Sequence, residues 1–189
     1  LSDIDDLTVV TGSDRSRQES VALGLAALGR CEADTVVLVH DAARPLTPPQ
    51  VTERVIDAVA GGAGAVIPVL PVTDTLKTVD ASGVVVGTPR RSDMVAVQTP
   101  QGFRWDVLIR AHEEGASLGA DEARAATDDA GLVEAIGGTV HTVAGDERSL
   151  KVTRPLDLAL AQLLAAEEMS ASSASARSRG EGSDRLRAP

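Results

Sequence analysis

Tyrosine does not occur in this 189-residue chain, and phenylalanine and tryptophan appear once each, as Phe103 and Trp105. So few rings argue against a surface that stacks nucleic-acid bases. The charge balance points the same way. Formal net charge is −10, and it becomes −12 without residues 170–189, whose four arginines outweigh two acids. Such an acidic chain is a poor general partner for nucleic acid or a membrane surface. Cysteine is as scarce: lone Cys31 excludes a disulfide framework and a Cys-based zinc site, and fits a reducing cytoplasm. No apolar run approaches a membrane span, and no signal peptide is visible. Neither a P-loop nor a Gly-x-Gly-x-x-Gly after a first strand is present. The chain therefore shows no ready cradle of backbone N–H groups for a triphosphate. It opens on Leu1 inside a polar segment, which suggests a piece of something longer.

What the chain does have is alanine, valine and leucine, with an apolar fraction of 43%. That is enough core for one domain over residues 1–168. Residues 169–189, rich in Ser, Ala, Arg and Gly without apolar period, read as a disordered tail or a linker. The organising stretch is Thr35-Val36-Val37-Leu38-Val39-His40-Asp41-Ala42-Ala43-Arg44-Pro45. A short β-branched run with no alternation reads as a buried strand in the middle of a parallel sheet. It ends in a carboxylate and an arginine, where open α/β sheets gather their ligands.

Around it the pattern alternates. A strand is expected at Leu7–Val10, then a helix from Glu19 to Leu28 that buries Val21, Leu25 and Leu28. After the central strand, Thr47 reads as the N-cap of a second helix, with Pro48 at its first position and Gln50 closing a capping box. Its expected buried face is Val51, Val55, Ile56 and Val59, and Ala65–Leu70 is the next strand. Thr75–Val79 and Val84–Gly87 flank a Gly-containing turn, a β-hairpin in an arm of about 71–93. Met94–Val97 resumes the sheet, and a helix through about Gly115 buries Val107, Leu108 and Ala111. Thr127-Asp128-Asp129 opens a short helix, Thr139–Val143 is a strand, and a last helix carries the stripe Leu156, Leu160, Leu163 and Leu164. The fold class is α/β: a Rossmann-like, mostly parallel sheet with flanking helices and a projecting β-hairpin arm. An isolated two-stranded arm needs a surface to lie on, which predicts a homodimer.

The strand ends carry the chemistry. Asp41 and Arg44, then Asp74, Thr75 and Lys77, then Arg90 and Arg91, then Thr99, then Lys151 and Arg154 recur at turns bordering strands. Arg, Lys and Thr on one rim suit a phosphorylated substrate, and an Asp among them suits Mg²⁺. Taken singly, each reads as readily as a solvated charge, and Asp41 with Arg44 as a simple loop pair. His40 is either a base or a packed loop residue, while His112, His141 and Cys31 read as structural.

The ordered set Val39-His40-Asp41-Ala42-Ala43-Arg44-Pro45, Asp74-Thr75-Leu76-Lys77, Gln98-Thr99-Pro100-Gln101-Gly102-Phe103, Thr127-Asp128-Asp129 and Lys151-Val152-Thr153-Arg154-Pro155 resembles the 2-C-methyl-D-erythritol 4-phosphate cytidylyltransferase family. Arg17 and Ser20-Val21 match its Arg-x-x-Ser-Val helix start. The likeness runs from about Leu7 to Ala165, and is weaker to ribitol-5-phosphate cytidylyltransferase. It implies a cytoplasmic, nucleotide-diphospho-sugar transferase type of enzyme that joins CTP to methylerythritol phosphate with Mg²⁺ and releases pyrophosphate. By the same resemblance, Asp41 lies by the metal and the substrate, and Arg44 meets the methylerythritol side. Thr75, Thr99 and Lys151 hold the methylerythritol phosphate, and Thr127 is a further substrate-binding residue. Arg91, reaching across a dimer, and Lys151 position the attacking group. Gly12, Ser13, Asp14, Ser20 and Ala42 contact the cytidine, with the choice between Ser13 and Asp14 at the base left open. The family's glycine-rich loop, with its Arg and Lys, precedes the first motif matched here. A preceding piece on the order of 60 residues is thus expected. The competing expectation is a domain that dimerises without holding CTP.

Overall fold

The computed structural model describes residues 6–115 and 128–167. Its main sheet uses β1 (Val36–Val39), β2 (Ala65–Pro71), β5 (Val95–Val97), β6 (Gln101–Arg104) and β7 (Val140–Ala144). Strand β7 runs parallel to β2, whereas β6 lies antiparallel between β1 and β2. Strands β1, β2 and β7 therefore share one direction, and β5 and β6 oppose them. The apolar run from Thr35 to Val39 is expected in the middle of the sheet. Among the described residues β1 instead pairs only with β6 and is half-buried, with Val37 its one buried side chain.

Strands β5 and β6 are two halves of one line along the same flank of β2. Ala65 and Val66 face Phe103 and Gly102, while Val69 faces Val97. Three steps along β2 thus oppose five along its partner, so two extra residues bulge out around Thr99, whose bond to Pro100 is cis. Gln98 keeps the line attached, its N–H donating to Pro68 O at 2.8 Å. Bulges of this kind re-aim a side chain beside a site. The expected strand ends at Val97, whereas the structure adds a second one at Gln101–Arg104. Gly102 is small for packing: a Cβ there would run into Val55 Cγ1.

Helices cover both faces. On one, α2 (Pro49–Ala60) packs Val55 and Val59 against Val66. On the other, α1 (Arg17–Leu28), α3 (Trp105–Gly115) and α4 (Asp129–Ala135) close over Val37, Ala65 and Phe103 with Leu25, Leu108, Leu132 and Val133. Strand alternation explains the split, since neighbouring residues point to opposite faces.

Several expected boundaries move. Leu7–Val10 pairs with no strand among the described residues and is exposed. Helix α1 starts two residues early because Ser16 caps it, its Oγ accepting from Glu19 N–H at 3.1 Å. Leu28 and Ile56 fall on exposed faces. Thr47 is not a cap: Pro48 precedes Pro49 and is held extended, so the helix begins at Pro49 and Thr47 Oγ1 donates to Arg44 O. The hairpin is shorter than expected, with β3 (Thr78–Val79) and β4 (Val85–Gly87). Its turn hangs on the Asp80 carboxylate, which accepts from Ser82 N–H and Val84 N–H, with Gly83 at φ 86°. The last helix, α5 (155–167), leaves Leu156, Leu160 and Leu163 exposed and buries Ala161.

Candidate active site

Strand β1 delivers Asp41 to the carboxyl end of the sheet. The bulge delivers Thr99 beside it, so that Asp41 N–H donates to Thr99 Oγ1 at 3.0 Å, with His40 Nδ1 2.9 Å from the same oxygen. Val152 N–H donates to Ala43 O at 2.8 Å and ties the segment after β7 to this turn. Lys151 arrives that way, its Nζ 3.0 Å from Asp41 Oδ2. Arg44 and Arg17 each stand 3.8 Å from the same carboxylate.

Three cations thus gather on one carboxylate beside a cavity of about 180 Å³, lined by Arg17, Asp41, Arg44, Thr99, Gln101, Asp128 and Lys151 among others. Arg44 is a fixed part of the wall: its two terminal nitrogens donate to Ser149 O at 2.6 Å and Val97 O at 3.4 Å. Burial lowers its pKa from the ordinary value and Asp41 opposes that. It stays a cation, since guanidinium does not give up its proton in proteins.

Behind this wall lies a pair that sequence reading misses. Asp129 is fully buried; Arg17 Nη1 stands 2.8 Å from its Oδ2 and His112 Nε2 3.0 Å from its Oδ1. Burial alone would raise the Asp129 pKa, but the bond from His112 and the charge of Arg17 outweigh it and hold the carboxyl below its usual range. Asp128 caps α4, accepting from Gly131 N–H at 2.9 Å, and takes the Gln101 amide at 2.7 Å. His112 shows no partner in sequence because α3 and α4 meet only in the folded chain. The one sequence signal is a buried-face position, four residues after Leu108.

Of the expected site residues, Asp41, Arg44, Thr99 and Lys151 come together here. Gly12, Ser13 and Ser20 form a separate turn over the start of α1: Ser13 N–H donates to Ser20 Oγ at 3.0 Å, and a Cβ on Gly12 would sit 2.9 Å from that Oγ. Asp14 lines a surface hollow with Ser13 and Glu19, and Ala42 is exposed in the Asp41 turn. Thr75 is exposed beyond the end of β2 and lines no part of the cavity. Arg91 donates to Thr73 O at 2.9 Å and borders a different, mostly apolar hollow of about 820 Å³ with Val95 and Val143. Thr127 lies outside the described residues. The wider rim does not all converge: Lys77 donates to Thr88, Arg90 pairs with Asp93 and Arg154 with Asp157. Those three follow the reading of locally paired surface charge.

As to metal, Asp41 is a single carboxylate among cations, and no cluster of three His, Cys, Asp or Glu suited to an ion occurs among the described residues. Such a donor set fits Mg²⁺ carried on substrate phosphates, the common arrangement of one or two carboxylates plus phosphate oxygens. No helix among the described residues is long and apolar enough to cross a membrane.

Comparison with known proteins shows the family. The family model for 2-C-methyl-D-erythritol 4-phosphate cytidylyltransferase (IspD) matches residues 1–167. The enzyme of that name from Rhodococcus jostii is 51% identical over 162 residues, which are 86% of this chain and 67% of the relative. Its counterpart from Frankia casuarinae is 52% identical over 85% of this chain and 57% of its own length. The crystal structure of the Thermus thermophilus cytidylyltransferase aligns with TM-score 0.69 at 40% identity, covering 82% of this chain and 71% of that one. The chain thus spans about two thirds or less of the curated relatives' length.

Proposed function

Because the chain belongs to the 2-C-methyl-D-erythritol 4-phosphate cytidylyltransferase family, we propose that it takes part in transferring a cytidylyl group from CTP to 2-C-methyl-D-erythritol 4-phosphate, releasing pyrophosphate in the non-mevalonate route to isoprenoids. The observation that carries this reading is the convergence of Lys151, Arg44, Arg17 and Thr99 on Asp41 at one end of the sheet. A phosphate monoester needs forked and point-charge donors together with a hydroxyl, and all three kinds are present.

In the proposed reaction a phosphate oxygen of the acceptor attacks the α-phosphorus of CTP in line, and the bond to pyrophosphate breaks. The side chains do no covalent chemistry. Lys151 and Thr99 hold the acceptor phosphate, Arg44 fixes the wall beside it, and their charge offsets that of two anions brought together. Mg²⁺ is the proposed cofactor, with Asp41 as the carboxylate that would hold it, and it supplies further positive charge to the nucleotide phosphates. Cytidine is assigned to the turn of Gly12, Ser13, Asp14 and Ser20 with Ala42.

Arg91 lies with the arm, outside the cavity, so its proposed positioning role is served from a second copy. We propose a cytoplasmic homodimer joined through the arm. Supporting this, Val79, Val84, Val85 and Val86 of the arm are all more than half exposed. Sedimentation at micromolar concentration is expected to give a dimer, and a monomer there would remove the arm's role.

The substrate reading is checked by titrating the chain calorimetrically with methylerythritol 4-phosphate, ribitol 5-phosphate and CTP. The first sugar phosphate is expected to bind more tightly than the second. A reversed order would favour ribitol phosphate as acceptor, and absence of CTP binding would mark a domain that does not hold the nucleotide.

A further inference from the structure

Arg17 lines the cavity, yet the proposed reaction assigns it no ligand. Its helix is held firmly: next to it, the buried Gln18 amide donates to Gly115 O at 2.8 Å and locks α1 to the end of α3. Of the cations here, Arg44 spends both terminal nitrogens on backbone carbonyls and Lys151 is drawn to Asp41. Arg17 is ion-paired through Nη1 with Asp129 at 2.8 Å and stands 3.8 Å from Asp41, with no side-chain hydrogen bond to a described residue. A third of the side chain remains exposed, on the side that borders the cavity.

The support behind it is unusual. On a carboxylate with no solvent access, His112, itself buried, hydrogen-bonds Oδ1, while Arg17 Nη1 lies at ion-pair distance from Oδ2, 2.8 Å, an oxygen that no hydrogen bond satisfies among the described residues. A buried ion pair contributes little stability over apolar residues of the same volume, so its evident use is to fix geometry. Guanidinium held on one edge by a rigid acid presents its other edge in a constant direction, which suits the planar fork of a phosphate contact.

We propose that Arg17 is a substrate-anion ligand that takes a phosphate group, and that Asp129, seated on His112, is the positioning residue that aims it. This rests on the functional reading above. The phosphate belongs to either the sugar phosphate or CTP, and the two arms of the test tell them apart.

The test is calorimetric titration of the whole chain with methylerythritol 4-phosphate and, separately, CTP, for wild type, Arg17→Ala, Arg17→Lys, Asp129→Asn and the Arg17→Ala/Asp129→Asn pair. Arg17→Ala is expected to weaken one of the two ligands by about ten-fold or more, as loss of a charged hydrogen bond does. Arg17→Lys keeps the charge against Asp129 but loses the fork, and should weaken the same ligand with its melting temperature unchanged. Asp129→Asn should weaken that ligand too. In the Arg17→Ala background it should add less than about two-fold, since a residue acting only through Arg17 has nothing left to aim. Were Asp129→Asn not to fold, the two Arg17 variants still decide the ligand contact, and His112→Gln, whose amide can still donate, replaces it in the paired comparison. Unchanged affinity for both ligands in Arg17→Ala overturns the proposal, as does an Asp129→Asn effect that persists in full without Arg17. Wild-type chain that binds neither ligand overturns the functional reading itself, a different outcome from either of these.

Discussion

Lys151→Ala is expected to lower cytidylyl transfer roughly 10²–10³-fold, equivalent to about 2.7–4 kcal/mol of lost charge stabilisation. Pyrophosphate release from CTP and methylerythritol 4-phosphate reads the rate, and calorimetry should show weakened sugar-phosphate binding alongside it. Lys151 does little for the fold. Its side chain is 47% exposed and its one ion pair among the described residues is to Asp41, which keeps Arg17 and Arg44 nearby once the lysine is gone. Partly exposed pairs contribute roughly 0–1 kcal/mol to stability. The melting temperature should therefore hardly move while the rate collapses. A variant that turns over at the wild-type rate would end the assignment of Lys151 to the acceptor phosphate.

Phe103→Ala should do the opposite and strike the fold itself. Phe103 is fully buried between the sheet and the helices α1, α3 and α4, and it is the only phenylalanine in the chain. Phe→Ala in a packed core costs about 3–5 kcal/mol, against a total of roughly 5–15 kcal/mol for a domain. Urea denaturation should show the midpoint falling sharply with an unchanged slope. The loss reaches the active site as well, because Phe103 anchors the strand whose bulge carries Thr99. A destabilisation below about 1 kcal/mol would mean that the neighbouring Leu and Val side chains close the void, contrary to the close packing described.

The motifs around Asp41, Thr99 and Lys151 are legible because strand-end carboxylates, hydroxyls and cations are readable in a linear sequence. They converge in one cavity because Asp41 and Lys151 follow β1 and β7, which share one direction, and the bulge between β5 and β6 brings Thr99 to the same end. Other parts are hidden for identifiable reasons. Strand β6 is masked by Pro100 and Gly102, residues that normally break strands and here serve a bulge and a close helix approach. His112 and Asp129 lie 17 residues apart on different helices, so no local pattern could pair them. The stripe Leu156, Leu160 and Leu163 obeys helical spacing, yet in this chain it faces outward; periodicity reports a shared face without saying what covers it. Lys77, Arg90 and Arg154 look the same in sequence as the cations that do converge. Only the oxygen beside each in space separates them: the Thr88 hydroxyl, Asp93 and Asp157.

The cavity draws on five segments far apart along the chain: Arg17, Asp41 with Arg44, Thr99 with Gln101, Asp128, and Lys151. Closing such long loops is entropically slow, so these groups meet late, after the helices and hairpin have formed locally. A half-folded molecule has the charges but no common address for them. An anion that fits the cavity consequently recognises finished molecules alone and draws the folding equilibrium toward them, by about 2.7 kcal/mol at a hundred times its dissociation constant.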